Sequence, residues 1–338
     1  MRDLRSLPKV ELHVHLEGSV RPATLRELAD RDGLALPHGL GEDDVWRHTN
    51  PDDFIRNYTE LCSLLRRPED FRRIAEEFCA DLAATGVRYA EAVFSPSNHA
   101  VRMGGDHHGP IEAVLDGLRA GARETGVAVG LTPDVVRDMG VEEAERVLEV
   151  ALAFADRGVV ALNGAGSEKT DVATYAPVFQ HAKAAGLRRV PHAGEWAGPE
   201  NVWETLRWYD PDRIGHGVRS IDDPALVEEL ARRAIPLEVC PVSNVATGAY
   251  PSLAVHPFPA LRAAGVVVSL HSDDPPMFGG WLTEVYAAAR EAWSLTDEDL
   301  AELARVSVRS SFAGDDVKTS VLDGIDRWLA DGVSSSGS

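Results

Sequence analysis

The sequence predicts an α/β chain closed into an eight-stranded (β/α)8 TIM barrel, with a helical insertion between strands 1 and 2. Three observations predict it. Short apolar, β-branched runs recur along the 338 residues, each followed by a helical stretch. Nearly every run is apolar until its last residues, as buried strands of a parallel sheet covered on both faces are. Glycine stands near many strand starts, at Gly86, Gly126, Gly158, Gly186 and Gly265. Eight such units favour a closed barrel over an open sheet, and one barrel accommodates a chain of this length.

The first strand spans residues 10–15. The stretch 20–86 that follows is too long for one crossover and reads as helices over 22–30, 53–65 and 68–84, with Thr24 and Glu27 in the first turns of the first. An insertion after the first strand of a barrel overhangs its C-terminal face, where substrates bind, so 20–86 is expected to be a lid or pocket wall. Further strands are expected over 87–94, 128–132, 159–163, 188–192, 213–216, 236–240 and 266–271, with amphipathic helices such as 141–157 and 224–233 between them. Residues 1–333 then form one barrel domain, and the Gly/Ser-only residues 334–338 read as a disordered tail.

Charge narrows the partners. Lys plus Arg number 34 against 54 Asp plus Glu, a net charge of −20 that repels polyanions, so neither nucleic acid nor an anionic membrane is an expected partner. A small anionic substrate held by one local arginine stays open, as does a homo-oligomer. The three cysteines, Cys62, Cys79 and Cys240, are scattered and form no C-x-x-C pair, which fits buried thiols in a reducing compartment. The first eight residues lack an apolar signal core, and no run approaches the ~20 apolar residues of a membrane span. A cytoplasmic protein is expected.

The chemistry lies at the strand ends, which converge on one mouth in a barrel. His13 and His15 are two apart on the first strand, so both imidazoles project to one face. Taken alone, that pair reads equally well as chance. His192 ends the fifth strand, in Pro191-His192-Ala193-Gly194-Glu195, and Gly194 permits a turn that brings Glu195 into the mouth. His216 ends the sixth strand between two glycines, and Asp273 and Asp274 follow the last. Adjacent carboxylates repel, so this pair calls for a cation or a donor, the alternative being a cap before Pro275. Three histidines and one aspartate without cysteine suit Zn²⁺, which activates water at neutral pH, and metal-assisted hydrolysis follows. Residue types alone leave the cleaved bond open.

Five motifs in order resemble the adenosine deaminase family: 7–18, Leu-Pro-Lys-Val-Glu-Leu-His-Val-His-Leu-Glu-Gly; His192-Ala193-Gly194-Glu195; His216-Gly217; Cys240-Pro241-Val242-Ser243-Asn244; and Ser272-Asp273-Asp274-Pro275. The likeness runs from residue 7 to about residue 312. It implies one zinc per chain on His13, His15, His192 and Asp273, with His15 also beside the substrate. It implies Glu195 as the acid that protonates the ring nitrogen next to the attacked carbon, and His216 as the group that orients the attacking water. Asp274 and the Gly166 N–H would contact the purine, and Glu17 the sugar side. The implied reaction releases ammonia from an adenine nucleoside, adenosine to inosine in type. Four positions depart from the family's usual residues: Glu17 for Asp, Ser167 for an acidic residue, Trp196 for a smaller one and His271 for Asn. None is an expected ligand, so the departures bear on substrate rather than chemistry. Trp196 and His271 are expected to shape the pocket unless their side chains turn outwards. A modified nucleoside such as 6-aminodeoxyfutalosine, or free adenine, is the alternative substrate. A metal-dependent amide or ester hydrolase and an inactive binding protein are the remaining alternatives.

Overall fold

In the computed structural model, which describes residues 1–48 and 50–330, eight strands follow one another around a single sheet. They are β1 (Lys9–His15), β2 (Val87–Phe94), β3 (Ala128–Val136), β4 (Ala161–Ala165), β5 (Arg188–Ala193), β6 (Ile214–His216), β7 (Leu237–Val239) and β8 (Val268–Leu270), each parallel to the next. Beyond Leu270 the chain stays beside β1 long enough to close the ring. Val14 and Asp273 form a parallel bridge, His15 N donates to Asp273 O at 2.8 Å, and Asp273 N donates to His13 O at 3.0 Å. The expected TIM barrel is therefore present. The expected end of the domain at 333 and the tail 334–338 lie outside the described residues.

Strand ends differ from the sequence expectation for local reasons. β3 runs four residues past Thr132, through Pro133: its first half pairs with β2 and its last three residues pair with β4, so the missing proline N–H interrupts nothing. β6 stops at His216 because His216 and Gly217 both take positive φ, at 59° and 68°. β7 stops before Cys240, where Pro241 opens a short helix.

Period-two alternation makes the barrel's interior polar. Val10, Leu12 and Val14 join the apolar core under the helices, while Lys9, Glu11, His13 and His15 share the opposite face, all buried. At the N-terminal end of β6, the buried Arg213 pairs with both Glu91 of β2 and Glu238 of β7. Phe312 stacks on that guanidinium at 3.9 Å and its backbone N–H donates to Glu91 Oε1 at 2.6 Å. A buried cation between two carboxylates stays affordable only because every partner is in place.

Three helices fill the stretch between β1 and β2: α1 (Pro22–Asp32), α2 (Pro51–Cys62) and α3 (Pro68–Ala84). An aromatic cluster joins this insertion to the loop after β8. His48 lies 5.5 Å from Phe54 and 5.8 Å from Phe278, and Phe54 lies 5.0 Å from Phe278. His48 Nε2 also meets Met277 O at 3.2 Å. The insertion thus lies against the loop that carries Asp274.

Candidate active site

His13, His15, His192 and Asp273 converge at the C-terminal mouth, each offering one ligand atom within 4.8 Å of the others. His15 Nε2 faces His192 Nε2 at 3.3 Å and Asp273 Oδ1 at 3.3 Å, while His13 Nε2 is 3.6 Å from the same oxygen. His13 Nε2 is buried with no hydrogen-bond partner. Facing imidazole nitrogens, an orphaned third nitrogen and a carboxylate oxygen make a donor set that a divalent cation completes. A zinc ion with bonds of ~2.0–2.1 Å requires tetrahedral edges of about 3.3 Å, close to the spacings seen.

Three of the four are aimed by a neighbour. Glu238 Oε2 accepts from His13 Nδ1 at 3.0 Å, which turns Nε2 to the cluster. Asn163 Oδ1 does the same for His192 Nδ1 at 3.1 Å, and its amide is held by Asp134 at 3.0 Å. Ser243 Oγ donates to Asp273 Oδ2 at 2.6 Å, leaving Oδ1 for the cluster. Asp273 and His216 both adopt positive φ, at 64° and 59°, strain held in place by the ladder bonds on either side. Burial holds the His192 imidazole well below its ordinary range and also lowers His15, which keeps both rings in the neutral, ligating form. Burial opposes charge on His13 too, but the carboxylates beside it, Asp273 at 3.6 Å from Nε2 and the hydrogen-bonded Glu238, outweigh it and raise the ring to about 10. Burial likewise disfavours an ionised Asp273, yet His13 beside it and the other nearby imidazoles keep it well below the usual carboxylate range.

Glu195 stands beside this cluster in a different electrostatic state. Burial pushes its carboxyl well above the ordinary range, and the charges of Asp273 and Glu168 push the same way, so its protonated form is favoured. Asn244 Nδ2 donates to Glu195 Oε1 at 3.3 Å and lies 3.2 Å from His216 Nδ1. His216 Nε2 faces Glu195 Oε2 at 3.6 Å and Asp273 Oδ2 at 3.9 Å. Burial lowers His216 to about 3, so its ring is neutral. The turn bearing Glu195 needs Gly194 at φ 67°. Glu168, from the loop after β4, clamps that turn: its carboxylate accepts from the backbone N–H groups of Glu195, Trp196 and Ala197 at 3.0, 2.8 and 2.6 Å.

The substrate side is acidic and enclosed. Asp274 is buried to 1% exposure against Gly18, with Oδ1 unpartnered, and burial together with Asp273 raises it well above the carboxylate range. Glu17 is fully buried: Oε1 accepts from Ser95 N at 2.9 Å and meets His99 Nε2 at 3.2 Å, while Oε2 has no partner. Tyr58 of α2 brings a hydroxyl, buried and unpartnered, to the same region, with its ring 6.1 Å from His15. Gly166 follows β4 at φ 83°, its carbonyl accepting from Arg137 Nη2 at 3.1 Å. Trp196 is half-buried with its indole N–H unpartnered.

One expectation is corrected. His271 does not reach the mouth: fully buried, it meets Glu11 Oε1 and Ser269 Oγ at 2.8 Å each, one layer deeper in the barrel. The residues missed from sequence are the orienting ones, Glu238, Asn163, Ser243 and Glu168, together with Tyr58. For Glu238 a signal existed, a carboxylate in the middle of the apolar Leu237-Glu238-Val239. Glu168 and Tyr58 lie on a loop and a helix face with no distinguishing pattern.

The family profile described as adenosine deaminase matches residues 8–328. A putative adenosine/adenine deaminase of Streptomyces virginiae is 40% identical, over 97% of this chain and 98% of its own length. An aminodeoxyfutalosine deaminase of Streptomyces avermitilis is also 40% identical, over 97% of this chain and 94% of its own length. The crystal structure of an adenine deaminase from Arthrobacter aurescens superposes with a TM-score of 0.90 at 32% identity, covering 96% of this chain and 99% of that one.

Proposed function

This chain belongs to the adenosine deaminase family, and on that premise we propose that it hydrolyses the exocyclic C–N bond of an adenine nucleoside with one zinc ion per chain, releasing ammonia and an inosine-type product. The observation that carries the reading is the pairing of a three-histidine, one-aspartate cluster with an adjacent buried carboxyl whose protonated form is favoured. His13, His15, His192 and Asp273 would hold the zinc ion, which would supply an activated water at neutral pH. The protein's own groups do the rest. Glu195 delivers its proton to the ring nitrogen beside the attacked carbon, which makes that carbon electrophilic. His216 presents a neutral ring to the space between Glu195 and Asp273 and orients the incoming water. Water adds to the carbon and gives up its two protons in turn: one passes to the exocyclic amine, which departs as ammonia, and the other restores Glu195, while the ring nitrogen keeps the proton it received.

Asp274, Glu17 and the Gly166 N–H are assigned to the substrate's remaining polar edges, and His15 flanks it. The unpartnered oxygens of Asp274 and Glu17 and the Tyr58 hydroxyl favour a ligand with several hydrogen-bonding groups. Arg137 turns Nε and Nη2 onto the carbonyls of Ala165 and Gly166, and the buried Glu17 and Asp274 carboxyls make the mouth acidic, which favours a substrate without phosphate. The relatives named for adenine and aminodeoxyfutalosine deamination favour a second reading, in which the same chemistry acts on free adenine or on that modified nucleoside. Ammonia release from adenosine, deoxyadenosine, adenine, 6-aminodeoxyfutalosine and AMP separates these. The largest kcat/KM is expected for a nucleoside without phosphate. Preference for AMP, or no ammonia from any of the five, overturns the proposal.

A further inference from the structure

We infer that His256 is a positioning residue, which fixes the orientation of the Asn244 amide and through it the side of Glu195 and of His216 on which each proton sits. His256 follows a single turn of helix, Leu253–Val255, in the loop after β7. Its ring is 4% exposed, 5.0 Å from Tyr250 and 5.9 Å from Trp293, which itself stacks on Phe258 at 4.8 Å. No atom of His256 is within reach of the ligand cluster, and its sequence context carries no motif.

Donor and acceptor roles run one way from the backbone inward. The Phe258 N–H can only donate, and it lies 3.2 Å from His256 Nδ1, so that nitrogen accepts. Burial lowers the His256 pKa to about 4, which leaves the ring neutral with its one N–H on Nε2. Nε2 lies 3.2 Å from Asn244 Oδ1 and donates to it. The amide group of Asn244 then faces the site with both of its hydrogens, one toward His216 Nδ1 at 3.2 Å and one toward Glu195 Oε1 at 3.3 Å. Since Nδ1 of His216 accepts, the ring's proton is on Nε2, the nitrogen that faces Glu195 Oε2 and Asp273 Oδ2. Since Oε1 of Glu195 accepts, its proton is on Oε2.

The Asn244 backbone does not itself select this arrangement. Its N–H donates to Cys240 O at 2.9 Å and its carbonyl accepts from Tyr250 N at 2.9 Å, which places the side chain but leaves the amide free to turn over. A turned amide presents Oδ1 to the site. His216 then satisfies it with Nδ1–H and loses the proton from Nε2, and Glu195 satisfies it with a proton on Oε1, leaving Oε2 bare. The same atoms are present, but both protons point away from the reacting space. His256 Nε2–H disfavours that state, because it would meet the amide's own N–H groups.

The inference rests on the deaminase reading only where turnover is measured. The variants are His256→Leu, which fills the space without a donor, and His256→Gln, which keeps an N–H near the position of Nε2. In His256→Leu, kcat is expected to fall ~10–100-fold, the range for losing a group that orients a site residue, with KM within about twofold and metal content unchanged. His256→Gln should recover most of that loss. Nitrogen NMR of histidine-labelled protein should find His216 protonated at Nε2 in the wild type and mixed between nitrogens in His256→Leu. His216 protonated at Nδ1 in the wild type overturns the inference without any variant, whatever the substrate. Equal losses for Leu and Gln with an unchanged His216 tautomer, or an unchanged kcat in a folded His256→Leu protein, also overturn it. An inactive wild type whose His216 carries its proton on Nε2 would refute the deaminase reading and leave the relay standing.

Discussion

Replacing Gly18 by alanine is expected to damage substrate use while sparing the metal site. Gly18 lies in the turn after β1 with an ordinary negative φ, so alanine is not excluded by its backbone. The obstacle is Asp274: a Cβ at position 18 would lie 1.6 Å from Asp274 Oδ1, 2.5 Å from Cγ and 2.7 Å from Cβ. Contacts between such atoms are comfortable near ~3.5 Å, so the Asp274 side chain must leave its rotamer rather than shift slightly. Asp274 is 1% exposed, and forcing an extra carbon into a packed site costs ~1–3 kcal/mol. If the strain falls on the substrate-binding arrangement, kcat/KM drops about 5- to 150-fold, at ~1.36 kcal/mol for each factor of ten. Asp273 should stay in place, because Ser243 and the ladder bonds to His13 and His15 hold it independently. The assay is ammonia release against substrate concentration, with metal content and urea unfolding measured on the same preparation. A kcat/KM within twofold of wild type, or loss of metal, would refute the reasoning.

Glu195→Gln should retain metal and ligand binding but lose at least ~10²-fold in kcat, as expected when a proton donor is removed. Because the Glu195 pKa is raised, its protonated form persists above the ordinary carboxylate range, and wild-type kcat should decline as pH rises through that raised value; an alkaline limb that survives in Glu195→Gln would assign it elsewhere. Asp274→Asn should raise KM and spare metal, and metal loss would mean that the two aspartates have exchanged roles. Arg213→Met strands Glu91 and Glu238, and should cost ~3–5 kcal/mol of stability at neutral pH by denaturant titration. Burial opposes charge on Glu238, but Arg213 and His13 hold it at about 2, so the wild type's gain is present above the unfolded value of ~4.3 and is lost as pH falls toward 2. The variant should lack most of that pH dependence.

Much of this site was legible because a barrel turns strand ends into neighbours. Period two puts His13 and His15 on one face, and His192, His216 and Asp273, at the ends of the other runs, are what set that pair apart from chance. The same counting also explains the misplacement of His271. Two residues along a strand are one layer, ~6.6 Å, so with Asp273 in the ligand layer His271 belongs one layer deeper, beside Glu11. Bulk at a strand end says nothing about depth. The three-residue ladders of β6 to β8 were not readable, since positive φ at His216 and Asp273 follows from closure and the site rather than from propensity. The orienting groups were the least visible. Asn163, Ser243 and Glu168 act through a few hydrogen bonds between segments far apart in sequence, a relation without local periodicity. The insertion's helices were readable from their amphipathic spacing, but its contact with the loop after β8 depends on His48, Phe54 and Phe278, which lie far apart in sequence.

The most direct test of the central claim, that His13, His15, His192 and Asp273 hold the one metal ion on which deamination depends, is a zinc titration of chelator-treated protein. Ammonia release from the best substrate is followed as zinc is added, with bound metal determined at each point. Activity should be absent without metal, rise in proportion to bound zinc and level off at one equivalent per chain, and the His13→Ala/His15→Ala double variant should neither bind that equivalent nor recover turnover. Full activity in the chelated protein, or a double variant that still binds zinc stoichiometrically and turns over, would contradict the account.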